Sequence, residues 1–382
     1  LQVDAFAAEP GTIAGRDEYR GTGGSLYFLR HQDVLVGSDR VRIEIRDKDS
    51  GIVIGVKNLV ASLDYDIDYI LGRVMLSEPL SSVANDTMLI NNGALSGNPA
   101  YLVVRYEYTP GFDELKDVAT GGRLHYWVNE KIKVGLTASS QEETGNENTL
   151  NGLDLTLRKS AGTWLKMETA RSTGPGVQTL NSNDGGFNFD ELDWGGATDI
   201  KATANRIDTS VRLDEFFDGV RGSTTLYMQN REGGFSAPGQ LTATDVNQMG
   251  GTLNMPVTEN VDINVKADKK DQKDSLETSS VEVDAGYRLN EHWILSSGAR
   301  IDTRKDNSVN VPLTQLQGDR TDVIVNAAYD SHQDWSAYGF AQGTANTTGN
   351  REVNNRAGAG GSFQATDRLN IDGELSGGNT GT

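Results

Sequence analysis

The feature that most constrains this chain is a strict two-residue alternation of apolar and polar side chains, repeated in segment after segment from Gly121 onward. Val261, Ile263, Val265 and Ala267 alternate with Asp262, Asn264, Lys266 and Asp268. Val281, Val283, Ala285 and Tyr287 alternate with Glu282, Asp284, Gly286 and Arg288, and Leu369, Ile371, Gly373 and Leu375 with Asn370, Asp372 and Glu374. The same rhythm runs through 132–139 and 153–158. Successive side chains of a strand point to opposite faces, so each segment has one apolar and one strongly polar face. A helix would need apolar residues at i, i+3 and i+4, and these segments have none of that spacing. The chain therefore reads as all-β, with about fourteen antiparallel strands between residues 121 and 377.

The connections carry a second pattern. Tight turns at Asn129-Glu130-Lys131, Thr258-Glu259-Asn260, Asn290-Glu291-His292 and Thr366-Asp367-Arg368 alternate with longer polar stretches at 141–151, 172–196, 305–318 and 344–355. One end of the sheet is trimmed and the other elaborated, as in barrels that cross an outer membrane. The strands run to about 9–11 residues, enough to cross a bilayer at a tilt. Tyr126, Trp127, Trp164, Tyr287, Trp293, Trp335 and Tyr338 sit near strand ends, where an interfacial girdle would need them. No apolar run approaches the ~18 residues of a membrane helix. These features predict a transmembrane β-barrel over 118–382.

Residues 1–117 have a different texture. Short strands such as 39–46, 52–56, 64–69, 72–76 and 101–108 are separated by turn signals and closed by Pro110-Gly111. That spacing predicts a small antiparallel β-sandwich.

With turns such as Leu289-Asn-Glu-His292 and Ala365-Thr-Asp-Arg368, the hairpin repeat resembles the outer-membrane β-barrel proteins of Gram-negative bacteria. The stretches Gly23–Arg30, Gly37–Arg42 and Leu63–Tyr69 look like the β-sandwich (Ig-like) modules found ahead of barrels in large bacterial surface and secretion proteins. The resemblance is architectural. It implies an exported cell-envelope protein in an outer membrane and names no substrate. Such barrels commonly end in a strand with a terminal aromatic residue, whereas this chain ends Ser376-Gly-Gly-Asn-Thr-Gly-Thr382. The expectation is a truncated barrel, or a segment of a larger one, and the start at Leu1 reads as a mature or trimmed product.

Charge narrows the chemistry. Lys+Arg 35 against Asp+Glu 54 gives −19, a poor balance for nucleic-acid binding. Cys is absent, which excludes disulfides and thiolate chemistry. The polar strand faces supply the candidate functional residues: Lys133, Asp154, Arg158, Lys166, Glu168, Asp262, Lys266, Glu282, Asp284, Arg288, Asp372 and Glu374. Facing an open lumen they would set its selectivity; in a plugged one they would be a hydrogen-bonded filling. Asp64, Asp66 and Asp68 share a strand face and form a weak Ca²⁺ candidate, with Asp47 and Asp49 in a nearby turn. A solvated acidic face explains the triplet more simply. The four histidines, His31, His125, His292 and His332, offer no arrangement that argues for catalysis.

No enzyme activity and no cofactor are expected. The leading functional expectation is a passive channel or translocation pore with the sandwich as an accessory domain and the lipid bilayer as its first partner. The alternative is a structural or adhesive surface protein, anchored by its barrel and binding a protein partner through the sandwich or the long loops.

Overall fold

The computed structural model describes residues 1–8, 12–84, 88–90, 97–109, 119–143, 146–176, 180–190, 199–237, 240–309, 311, 316–366 and 369–380. In chain order the first strands are β1 (Gln2–Ala8), β2 (Ile13–Arg20), β3 (Leu26–Phe28), β4 (Arg40–Arg46), β5 (Val53–Asn58), β6 (Tyr65–Asp68), β7 (Arg73–Leu76), β8 (Val83–Ala84) and β9 (Asn98–Tyr108). Then come β10 (Ala119–Asn129), β11 (Ile132–Glu143), β12 (Asn146–Arg158), β13 (Trp164–Thr173), β14 (Leu180–Ser182), β15 (Lys201–Arg212), β16 (Ser223–Arg231), β17 (Ser236–Ala237) and β18 (Gln240–Leu241). The rest are β19 (Val246–Pro256), β20 (Val261–Gln272), β21 (Leu276–Arg288), β22 (Trp293–Asp306), β23 (Gly318–Asp330), β24 (Trp335–Thr347), β25 (Asn354–Thr366) and β26 (Leu369–Thr380). One 3₁₀ turn, Leu213–Glu215, is the only helical element among the described residues.

Fifteen strands form a single antiparallel sheet in the order β1-β10-β11-β12-β13-β15-β16-β19-β20-β21-β22-β23-β24-β25-β26. From β10 onward each strand pairs with the next long strand in sequence, as tight turns between alternating segments dictate. All fourteen segments expected from the alternation are present. Among the described residues no pairing joins β26 to β1, so the sheet has two edges.

The strand expected least is β1. It lies in the large sheet, with Gln2 opposite His125 and Ala8 opposite Ala119, rather than in the N-terminal domain. The division expected at residue 117 thus misplaces β1, and also β14, which joins the small domain. Alternation reports which face a residue takes, and a partner strand more than a hundred residues away leaves no local signal. The stretch 141–151, expected as a long connection, is also mostly strand: β11 and β12 continue to a close at Glu143 opposite Asn146. Its Gln, Glu, Thr and Asn residues are polar on both faces, so periodicity could not mark it.

Between β1 and β10 the chain builds a small two-sheet domain. One sheet runs β14-β2-β9-β4-β5 with β8 on β9, and the other runs β3-β7-β6. They share a core of Tyr19, Tyr27, Val41, Tyr65, Val74, Leu102, Val104 and Tyr106. The connection after β13 is stitched into this domain: β14 pairs parallel with β2, and Phe189 packs against the core.

Register fixes the two faces of the large sheet. In β21 Ser280, Glu282 and Asp284 are 7%, 1% and 3% exposed, while Val281, Val283 and Tyr287 are 47%, 42% and 46%. Across neighbouring strands the exposed face carries Leu136, Leu153, Leu226, Met249, Val281, Leu295, Val323, Val325 and Ile371. Apolar residues are thus exposed on one face and charged residues buried on the other, the reverse of a soluble sheet. On the exposed face Tyr126, Tyr287, Trp293, Tyr329, Trp335 and Phe363 gather at the short-turn end, where Tyr329 stacks on Trp335 with centroids 4.7 Å apart. Three expected girdle residues lie on the polar face instead. Trp127 sits under Arg158, Trp164 under Lys166, and the Tyr338 hydroxyl donates to Glu374 at 2.6 Å. Alternation across the final turn of a strand sends adjacent aromatics to opposite sides.

Candidate functional site

The centre of the polar face is covered by the small domain, and the contact is built from one turn. Between β4 and β5 the chain reads Asp47-Lys-Asp-Ser-Gly51. Asp47 Oδ1 accepts from the Asp49 and Ser50 amides at 3.0 and 2.8 Å and from Ser50 Oγ at 2.9 Å. Gly51 closes the turn at φ +70°, a conformation in which a Cβ is strained. This rigid turn aims Asp47 and Asp49 at the sheet.

Lys266 Nζ lies 2.5 Å from Asp47 Oδ2 and 2.9 Å from Asp49 Oδ2. Arg300 forks onto Asp49, with Nη2 to Oδ1 at 2.6 Å and Nη1 to Oδ2 at 3.2 Å. Its Nη1 also donates to Glu282 at 3.0 Å. Glu282 is fully buried and receives the Ile90 amide at 3.0 Å, while Asp284 receives the Leu89 amide at 2.9 Å. Gln248 Nε2 donates to the Ser50 carbonyl at 2.8 Å. Lys48 reaches back to the Ile90 carbonyl at 3.2 Å, tying the two contacting segments together.

Burial raises the affinity of Asp47 and Asp49 for a proton, but the facing Lys266 and Arg300 more than offset it. Both carboxyls are held below the usual range. The carboxylates of Asp47, Asp49 and Asp268 also converge closely enough to hold a cation. The Lys266 ammonium already sits between the first two, and Asp268 Oδ1 accepts from the Tyr227 hydroxyl at 2.5 Å while its Oδ2 has no partner among the described residues.

The twelve sequence-predicted residues all map to this face by register, and the structure gives them different environments. Lys266, Glu282 and Asp284 are buried beneath the small domain. Lys133 and Asp154 are half-buried, and Arg123 pairs with Asp154 at 2.7 Å. Arg158, Lys166, Glu168, Asp262, Arg288, Asp372 and Glu374 are exposed, with Glu374 paired to Arg356 at 2.7 Å. Asp64, Asp66 and Asp68 do not converge: Asp64 caps the Val60 amide at 2.8 Å, Asp66 is exposed, and Asp68 faces Arg73 at 3.4 Å. His292 and His332 meet with ring centroids 5.3 Å apart, each with a ring nitrogen against a backbone carbonyl of the opposing turn.

Sequence reasoning missed Lys48, Ser50, Leu89, Ile90, Gln248 and Arg300. The contacts that join the small domain to the sheet link residues roughly 190–250 apart. The one available signal was the charge-dense turn 47–51, too polar for a simple hairpin. Comparison with known protein families, curated proteins and solved structures gives no match.

Proposed function

We propose that this chain forms the wall of a β-barrel pore in a bacterial outer membrane and that the small domain is its plug. The observation that carries this reading is the inversion of the sheet, with an exposed apolar face and a charged face that holds a domain. Along β20 to β23 the apolar stretch spans 261–267, 281–287, 293–301 and 323–329. At ~3.4 Å per residue that is about 20–27 Å along the strand, or about 15–21 Å of membrane thickness at a tilt of about 40°, somewhat less than the ~25 Å apolar band of outer-membrane barrels. In water such a face would be an association liability; in lipid it is the required surface. The aromatics at its short-turn end match an interfacial girdle. Lipid would leave backbone groups at the β1 and β26 edges unsatisfied. The reading therefore requires both edges to be paired in the membrane, with each other or with further strands.

The expected activity is passive passage of polar solutes or an unfolded segment, gated by release of the 47–51 and 88–90 contacts. A second reading is an anchor whose interior is permanently filled, favoured by the burial of the Lys266–Asp49–Arg300 network and its short ion pairs at 2.9 and 2.6 Å. Planar-bilayer recording separates them. The pore reading predicts rare openings in the native chain and frequent steps of altered ion selectivity in Lys266→Glu. Verified insertion without conductance in both would support the anchor and contradict the pore.

A further inference from the structure

Beside the plug contact, and sharing Lys48, Asp49 and Arg300 with it, lies a cavity of about 150 Å³. Six cations line it, Lys48, Lys270, Arg300, Arg304, Arg320 and Arg351, against three carboxylates, those of Asp49, Asp268 and Asp302. The lining residues alone carry an excess of three positive charges, and counting Glu282 and Asp322, which pair with Arg300 and Arg320, leaves an excess of one in a chain whose net charge is −19. The cavity lies at the long-connection end of the sheet, since Lys270 and Arg304 are near the ends of β20 and β22 and Arg351 is in the connection after β24.

These cations are unequally satisfied. Arg300 is committed to Asp49 and Glu282, and Arg320 Nε faces Asp322 at 2.9 Å. Arg351 is 9% exposed and gives Nη2 to Asp302 Oδ2 at 2.5 Å, but its Nε and Nη1 are buried with no acceptor among the described residues. Neither Lys270 nor Arg304 has an ion pair there, although both line the same space. A buried guanidinium with idle donors is costly to keep, and the usual remedy is an acceptor. Arginine forks suit the oxygens of a phosphate, which would give acceptors to the idle donors of Arg351 and a counter-charge to Arg304 and Lys270. At ~30 Å³ per water the cavity has room for about five, more than a four-oxygen anion needs.

We infer that this cavity is a binding site for a phosphate-type oxyanion, held by Arg304, Arg351 and Lys270. The site belongs to the contact between plug and sheet, so the anion would brace the docked domain. The inference stands whether or not the outer face meets lipid.

The test is calorimetric titration of the full chain with inorganic phosphate, at an ionic strength held constant with sodium chloride. One-to-one binding is expected, weakened at least tenfold in the double variant Arg304→Gln/Lys270→Gln. Those two side chains make no ion pair among the described residues, so their replacement breaks none. Arg351→Gln disturbs Asp302 and serves only as a supporting variant. Competition by glycerol 2-phosphate would identify a site open to esterified phosphate, as on a lipid or sugar. Failure to compete would identify one for the free ion. No heat beyond the chloride control from the folded native chain, or unchanged affinity in the double variant, would overturn the assignment.

Discussion

Asp17 and Asp49 are both buried carboxylates, and their surroundings send them in opposite directions. Asp17 lies in the core of the small domain. Its Oδ2 accepts from the hydroxyls of Tyr19 and Tyr106 at 3.1 and 2.8 Å and from the Arg30 amide at 2.9 Å, while Oδ1 has no partner among the described residues. Burial outweighs these bonds and pushes the carboxyl up to about 6. The folded domain then holds a proton that the unfolded chain releases near pH 4. Its stability is fully present below about pH 4 and falls by about 3 kcal/mol as pH rises through 6. Asp17→Asn keeps an acceptor for all three donors, and should flatten that slope and raise stability at pH 7. Hydrogen exchange at β2 and β9 between pH 4 and 7 would read it, and an unchanged slope would count against the assignment.

Asp49 has two cations in place of three neutral donors, and its carboxyl is depressed. Docking of the 47–51 turn is therefore fully present above about pH 4 and is lost as pH falls through the depressed values. Asp49→Asn leaves Arg300 half-paired in a buried site and should weaken docking by about 3–5 kcal/mol. Exchange of the Leu89 and Ile90 amides, which donate into the same network, reports it directly. Protection equal to the native chain would mean that the turn does not hold the domain.

At the scale of the element, glycine sets how closely charged groups approach the strand beside them. Gly298 lies opposite Asp284, and a Cβ there would come within 2.1 Å of Asp284 Oδ1 and 3.1 Å of Ile324 Cγ2. Asp284 cannot swing freely, because it holds the Leu89 amide. Gly298→Ala should weaken docking by about 1–3 kcal/mol through overpacking. Gly339→Ala, whose nearest contact would be 3.8 Å away, should be neutral in the same denaturation series. Such glycines were visible in the sequence only as abundance. The strands themselves were legible because face alternation is local: residue 281 and residue 283 carry the signal without their partners. The register partner of β1, the polar hairpin around Glu143 and Asn146, and the clasp of Asp49 by Arg300 were not legible. Each depends on which distant segments meet, and no spacing within one segment encodes that.

At the scale of the whole molecule, the decisive property is which solvent each face meets. The polar face is filled at its centre by the small domain, which shares side chains with the sheet through a continuous ionic network. The opposite face exposes aliphatic residues across the full width of the sheet. The absence of cysteine makes this directly measurable. Single cysteines placed in turn at 279–287 along β21, each carrying a nitroxide, can be read in reconstituted bilayers for collision with oxygen and with a water-soluble nickel chelate. A lipid-facing apolar surface predicts high oxygen and low nickel accessibility at 281, 283 and 285, and low accessibility to both at 280, 282 and 284. Nickel access at 281, 283 and 285 equal to that of an exposed loop would contradict it and place this face in water.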